Sequence, residues 1–392
     1  MSRIRKIALR DVAAIERRLV DAEHIADDVP YVGLENIQPG GRLVGVKTVR
    51  RGDLASAKFV FTSRHVLFGK LRPYLAKTAA PGFDGICSTD ILPVLPSSGL
   101  DRSYLRWFLL SPDIIALATS RSSGANLPRL SPQALEEFEI PLPALNEQRR
   151  IAEILNKADA LRAKRRDALA RLDSLIQSIF LVMFGDPVTK GWPMGTVESV
   201  AADLPGSIRT GPFGSQLLHS EFTDDGIAVL GIDNAVHNEF RWAERRFISH
   251  SKYATLHRYT VRPGDVLITI MGTCGRCAVV PEDLPTAINT KHLCCITLDR
   301  ERYLPTFLHA YFLMHPIARA YLAARSKGAI MVGLNMGIIK ELPVPLVPLE
   351  LQRSYDRMAK AARAVKDMQT RSANELDALF ASLQHRAFRG EL

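Results

Sequence analysis

A stretch near the middle of the chain comes back near its end. PLPALNEQRR, beginning at Pro141, returns as PLVPLELQRS from Pro345, a displacement of 345 − 141 = 204 residues. The same displacement pairs Gln148 with Gln352, Arg149 with Arg353, Leu172 with Leu376, Asp173 with Asp377, Leu175 with Leu379, Ser178 with Ser382 and Phe184 with Phe388. Upstream it pairs Phe108, Leu109 and Pro112 with Phe312, Leu313 and Pro316, and Gly124-Ala125 with Gly328-Ala329. Solenoid units run to about 20–50 residues, so a period this long marks a tandem duplication of a globular module followed by a helix. Two similar modules on one chain suit a target that itself has two parts.

The 392 residues leave room for two cores, and 47% hydrophobic with 23% charged residues is an ordinary soluble composition. Lys plus Arg exceed Asp plus Glu by 51 to 41, a net +10 that points to a polyanionic partner. No apolar run of about 18 residues occurs, and the charged start MSRIRKIALRD has no apolar segment behind it, so the expected setting is cytoplasmic, with no membrane. The odd count of five cysteines argues against a disulfide framework. Cys274-Gly-Arg-Cys277, followed by His292 and Cys294-Cys295, has zinc-like spacing, but these cysteines sit in apolar strand-like runs where buried thiols are the preferred reading. No metal is expected.

Residues 1–145 alternate short apolar runs (YVGL, KFVFTSRHVLFG, ILPVLPSSG) with Gly and Pro turns, the texture of a strand-rich module. The best helix within it is DRSYLRWFLLSPDIIALAT. IPLPAL is a proline-stiffened joint. Neither Pro nor Gly occurs from Asn146 to Phe184; Asn146 and Glu147 predict the helix start, and Gly185-Asp186-Pro187 predict its stop. Leu155, Ala158, Leu169, Leu172, Ile176, Ile179 and Met183 step by three and four as a coiled-coil seam does, interrupted by Arg162 and Arg165. Lys366 and Gln369 hold the same places in the second copy, beside Leu376 and Leu383. Matched polar middles predict that the two helices meet each other. Residues 187–347 repeat the strand-rich texture and close on LPTFLHAYFLMHPIARAYLAAR, and residues 348–392 form the second long helix. The expected fold is α+β: two strand-rich domains, 1–145 and 187–347, each followed by a long helix, 146–186 and 348–392.

Catalytic apparatus is missing from the sequence. GAIMVGLN at Gly328–Asn335 lacks the Lys and Ser/Thr of a phosphate loop, and there is no HExxH, GxSxG, GxGxxG after a strand, or Asn/Asp-Pro-Pro-aromatic motif. A non-catalytic chain without its own cofactor is expected. What both modules do carry is basic residues on turns beside small, polar and aromatic ones. In the first these are Arg50, Arg51, Lys58, Arg64, Lys70, Arg72, Tyr74, Lys77, Arg121, Asn126 and Arg129. In the second they are Arg209, Thr210, Phe213, Gly214, Ser215, Gln216, Lys291, Arg325, Lys327 and Asn335. Arg and Lys pair with phosphates and guanine edges, Asn and Gln with adenine, and glycine lets backbone amides approach phosphate, so a nucleic acid is the expected partner.

These residues together resemble the specificity (S) subunits of type I restriction-modification systems, over essentially the whole chain. IPLPALNEQRRIAEIL with the helix ending LIQSIFLVMFGDP is similar to the family's central conserved region, and PVPLVPLELQRS through LQHRAFRGEL to its distal one. GPFGSQL at Gly211–Leu217 is similar to a loop common in its recognition domains, and FGKLRPYLAK at Phe68–Lys77 to a segment of the other common type. The resemblance implies two target-recognition domains, each taking one half of a bipartite DNA sequence, with the helices packed as an antiparallel coiled-coil ruler. It also implies two modification subunits that bind S-adenosylmethionine and methylate adenine, and restriction subunits that use ATP. On this reading the ruler and docking residues are Gln148, Arg149, Leu155, Leu172, Ile176 and Ile179 with Gln352, Arg353, Leu376, Leu379 and Leu383. Two neighbours of the reading are an S subunit serving a fused enzyme that cuts on both sides of its site, and a scaffold for RNA or protein. Deleting four residues from each helix, about 6 Å, is expected to shorten the gap in the methylated motif by about one or two base pairs. An unchanged gap in the mapped motif would sink the ruler.

Overall fold

In the computed structural model, which describes residues 5–242, 245–326 and 333–392, the chain divides into two units, residues 1–167 with 369–392 and residues 168–368. In the first, the β-branched and aromatic runs pair into a five-stranded sheet ordered Leu19–Val20, Lys58–Phe61, Gly85–Cys87, Val29–Val32, Lys47–Val49. A four-stranded sheet beside it is ordered Ala13–Ile15, Ile91–Pro96, Val66–Gly69, Thr78–Ala79. Val29–Val32 and Gly85–Cys87 run parallel, with Tyr31 opposite Ile86, and their other neighbours are antiparallel.

The second unit repeats the plan. Its four-stranded sheet is Ile208–Thr210, Leu293–Ile296, Val266–Thr269, Cys277–Val279, and its five-stranded sheet is Phe222–Thr223, Phe247–Ile248, Ile227–Leu230, Ala287–Asn289, Thr260–Val261. Ile227–Leu230 and Ala287–Asn289 are again parallel, with Val229 opposite Ile288. The fifth strand differs. It joins the Lys58–Phe61 side in the first unit and the Phe247–Ile248 side in the second.

In both units the proline joint pairs with the unit's opening strand, Pro141 opposite Lys6 and Pro345 opposite Met194. A two-stranded ribbon tolerates proline there because each strand has a free edge.

Proline also corrects the expectation of one closing helix per module. DRSYLRWFLLSPDIIALAT forms two helices, Arg102–Leu109 and Pro112–Ser120, and the second copy splits into Pro305–Met314 and Pro316–Ser326. Ser111 and His315, each just before a proline, are extended at ψ 143° and 131°. Crowding by the following ring pushes the preceding residue out of the helical region.

The central helix is Leu145–Phe184 and the distal helix Leu349–Ala387, about 60 Å for the former at 1.5 Å per residue. The cap expected at Asn146 is corrected by two residues to Ala144, whose carbonyl accepts from both the Glu147 and Gln148 amides, so Asn146 lies inside the first turn. The two helices pair antiparallel, and the pairing is visible inside each unit. In the first, Arg162 Nε donates to Asp377 Oδ1 at 2.5 Å and its guanidinium lies over Phe380, while Asn156 and Gln384 both bond to Trp107. In the second, Lys366 Nζ reaches Asp173 Oδ1 at 2.6 Å, and Phe180 and Phe184 pack on Tyr355. Of the four polar positions that interrupt the seam, Arg162 and Lys366 make ion pairs across it.

Gln148 and Gln352, expected among the docking residues, are buried instead, and they pin each helix to its module. Gln148 Oε1 accepts from the Asp101 amide (2.8 Å), and its Nε2 donates to Gly99 O (3.0 Å) and Pro143 O (2.9 Å). Gln352 does the same with Leu304 N (2.8 Å), Arg302 O (3.0 Å) and Val347 O (2.8 Å). Replacing Gln352 with Leu strands three backbone groups in a closed space, where each loses about 1–3 kcal/mol. Gln352→Leu is expected to lower the unfolding free energy by about 2–4 kcal/mol in urea titrations, and a loss under about 0.5 kcal/mol would refute the pinning role.

Candidate nucleic-acid interface

The C-terminal ends of parallel strands are where open sheets gather ligands, because successive loops diverge there and leave a crevice. In the second unit the two parallel strands end in Gly231-Ile232-Asp233-Asn234 and Thr290-Lys291-His292. Asn234 fixes the first turn: its Oδ1 accepts from Gly231 N at 2.9 Å and its Nδ2 donates to Arg241 O at 2.9 Å. Asp233 Oδ1 then accepts a short hydrogen bond from an Arg246 terminal nitrogen. Over these ends lies the loop Gly211–Leu217. A Cβ on Gly211 would stand 2.0 Å from Asn289 O, so only glycine lets the loop pass the strand, and Gly214 takes a left-handed φ of +58°. Gln216 Oε1 accepts from Phe213 N at 3.2 Å and from Tyr259 Oη at 2.9 Å, and the Phe213 ring stands 48% exposed.

These parts enclose a cavity of about 760 Å³ whose apolar wall includes Leu217, Phe222, Ile232 and Val236 and whose rim carries Arg246, Lys291, His219 and His292. Burial, with the Lys291 and Arg246 charges, holds His292 below the usual imidazole value. A second groove, about 420 Å³, presents His257, Arg258 and Arg262 around Tyr259. That set is legible as His257-Arg-Tyr-Thr-Val-Arg262 but does not figure among the sequence candidates. Nor do Asp233 and Arg246, for which the sequence holds one signal: Gly33-Leu-Glu-Asn36 and Gly231-Ile-Asp-Asn234 repeat at a displacement of 231 − 33 = 198.

The first unit builds the same corner. Gly33–Asn36 follows one parallel strand, with Asn36 Oδ1 accepting from Gly33 N at 2.8 Å, and Ser88-Thr89-Asp90 follows the other. Arg129 Nε donates to Asp90 Oδ1 at 3.0 Å, Lys77 Nζ donates to Leu34 O at 2.6 Å, and the Lys70 amide donates to Asp90 O at 2.9 Å. Arg72 donates to Asn126 O at 3.3 Å, and Tyr74 stands exposed in the turn that follows. The structure therefore brings Lys70, Arg72, Tyr74, Lys77, Asn126 and Arg129 to one end of the sheet. Arg50, Arg51 and Arg64 are at the other end, since Arg50 follows the strand whose last residue, Val49, pairs with Val29, and Arg64 precedes the strand that Lys70 follows. Arg121 is spent on Glu137 and on the Phe138 ring.

Several sequence candidates are corrected. Arg209 is not a loop contact: it lies 8% exposed on a central strand and donates to Asp265 Oδ2 (2.6 Å), Thr260 O (2.5 Å), Thr297 Oγ1 (3.0 Å) and Gly206 O (3.1 Å). Lys58 is buried on Ser56, and its ammonium is held below the usual lysine value by desolvation. Asn335 spends its side-chain oxygen capping Met336–Lys340 through Ile338 N at 2.9 Å. Thr210 is half-buried on a strand opposite Cys294, while Ser215 and Gln216 are exposed on the loop and Lys291 lines the cavity. Arg325 lies 3.6 Å over the Tyr321 ring, and Lys327 and the Gly328–Asn335 motif up to residue 332 lie outside the described residues.

On the helices Leu155, Ile176 and Ile179 pack inward, Leu172, Leu376 and Leu383 are half-buried, and Arg149, Arg353 and Leu379 face solvent. Cys277, Cys294 and Cys295 are fully buried in the strands of the second unit, and burial pushes the Cys294 thiol up to about 12. Among the described residues no helix is long and apolar enough to cross a membrane.

Residues 2–171 match the family described as the type I restriction modification DNA specificity domain. The type I restriction enzyme EcoDI specificity subunit of Escherichia coli is 32% identical over 156 residues, which are 39% of this chain and 35% of that one. The Escherichia coli type I restriction enzyme EcoBI specificity subunit is 25% identical over 317 residues, 74% of this chain and 66% of that one. The chain thus spans about a third and just under two thirds of the lengths of these two relatives. A solved chain from work on complex assembly and conformational transition of the type I R-M system covers 100% of this chain and 99% of its own, with a TM-score of 0.63 at 21% identity, a likeness of fold.

The reassignment of Arg209 has a direct consequence. Removing one partner of a buried ion pair leaves the other charge uncompensated, at a cost of about 3–5 kcal/mol. Arg209→Ala is expected to lower the melting temperature of the chain sharply, read by circular dichroism. A variant that melts like the parent yet loses DNA binding would return Arg209 to the interface.

Proposed function

We propose, from the match of residues 2–171 to the type I restriction modification DNA specificity domain and from the fold it shares with its relatives, that the chain is a type I restriction-modification specificity subunit that recognises a bipartite double-stranded DNA target, one half per module, without catalysis of its own. Residues 1–145 and 187–347 are the two recognition domains in this proposal. Residues 146–186 and 348–392 are the ruler that sets the gap and the platform for two modification subunits, with restriction subunits joining them. S-adenosylmethionine and ATP belong to those partners.

The observation that carries the proposal is the duplicated corner. Both units end a parallel strand pair in an Asn-fixed turn flanked by cationic side chains, yet the residues around the two corners differ. Equal placement with unequal chemistry is what two different half-sites on one duplex require. The net +10 charge supplies the non-specific attraction to the backbone. The antiparallel ion pairs Arg162–Asp377 and Lys366–Asp173 support a stiff spacer.

The test is to co-express the full chain with its modification subunit and map methyladenine across the host genome. A motif of two short defined parts separated by a fixed undefined gap is expected. Exchanging residues 1–145 for those of another family member is expected to change one part only. A continuous motif, or a change in both parts, would overturn the proposal.

A further inference from the structure

The two corners share a detail that their sequences do not. In the second unit Arg246 is held by Asp233, on the turn after the first parallel strand; its Nε is buried without a partner, and the side chain is about one third exposed at the cavity rim. In the first unit Arg129 is held by Asp90, on the turn after the second parallel strand, through Nε at 3.0 Å and a terminal nitrogen at 3.5 Å. The displacement between the arginines is 246 − 129 = 117, not 204, so the arrangement has been reached from different loops. What is common is a guanidinium at the C-terminal end of the parallel pair held by a carboxylate, through one terminal nitrogen in Arg246 and along the Nε edge in Arg129.

The clamp decides between two uses of an arginine. A side chain meant for phosphate gains from a bare positive charge, and a carboxylate in contact both halves that attraction and repels the anion. A neutral base edge is not repelled. Fixing one edge of the fork removes rotamer entropy and aims the remaining donors, which is what two acceptors at fixed spacing require. Among base edges in the major groove, guanine alone offers two adjacent acceptors, O6 and N7. The unclamped cations nearby, Lys291 and the Arg258–Arg262 groove in the second unit and Arg72 in the first, are left to the phosphates.

We propose that Arg246 and Arg129 each discriminate a guanine, one in each half of the target, with Asp233 and Asp90 as positioning residues. The assignment rests on the bipartite reading above. Its test uses the full chain with its modification subunit and genome-wide methyladenine mapping. The parent motif is expected to contain a G·C pair in each half. Arg246→Lys keeps the charge and loses the fork. It is expected to relax a single guanine in the half belonging to residues 187–347, raising methylation of sites with another base there about tenfold to a hundredfold relative to the parent. The other half stays fixed. Asp233→Asn is expected to relax the same position, an effect a merely structural carboxylate would not have, and Arg129→Lys relaxes one position of the other half.

A uniform drop in methylation with the motif intact would make these arginines phosphate contacts and overturn the assignment. So would an unchanged motif, or a half without any G·C pair. Melting curves of each variant separate unfolding, which removes all methylation, from relaxed reading, which spreads it. A parent chain with no bipartite motif would overturn the proposed function itself, whereas a bipartite motif left intact by Arg246→Lys overturns only the arginine assignment.

Discussion

A primary amide at the foot of each long helix holds the architecture together. Gln148 and Gln352 each saturate one backbone donor and two backbone acceptors, drawn from the loop before the closing helices and from the proline joint. Few side chains offer donor and acceptor at that reach, and in a dry site each bond is strengthened by the low dielectric. The joint itself is stiff, because its prolines fix φ and its carbonyls are held by Tyr104 Oη on Pro141 O and Tyr311 Oη on Pro343 O, both 2.8 Å. The first turn of each helix is therefore pinned to the module it leaves.

What each helix meets at its far end is equally specific. The central helix ends with Phe180 and Phe184 among Phe307, His315 and Tyr355, and the distal helix ends with Phe380 and Phe388 among Tyr104, Trp107 and Phe108. Aromatic groups of this size contribute most of the apolar burial at each seat. The middles are polar, and there the ion pairs set register. Apolar ends for stability and charged middles for register divide the work along each helix.

The repeat, the joints and both long helices were legible in the sequence because each rests on local signals: proline, uninterrupted helix formers, and a displacement that held over many residues. The split of the closing helices is equally local, since Pro112 and Pro316 stand at matched places inside both. Arg209 was misread for a different reason. Its partner Asp265 is 56 residues away, and no local pattern says that an arginine after a Gly-Ser turn enters a strand rather than a loop. Arg246 was missed for the mirror reason. It follows Arg241 and Arg245 in a charged run that singles out none of them, and only the fold brings it to Asp233. Local chemistry shows where elements start and stop, while ion pairs across a sheet belong to topology.

The division into units also bears on the order in which the chain can fold. Residues 168–368 are continuous, so that unit has all its strands and both its helical segments once residue 368 has been made. The other unit needs residues 369–392, which put Phe380, Ala387 and Phe388 into the core around Tyr104, Trp107 and Phe108. Its sheets can form before residues 369–392 are made, but until then Trp107 lacks its Phe380 neighbour. The loop closed by that segment is long, as the bond from Gln384 to Trp107 O shows, and its closure entropy must be met before those contacts stabilise the unit. Residues 369–392 therefore act as the lock of the unit that holds residues 1–167.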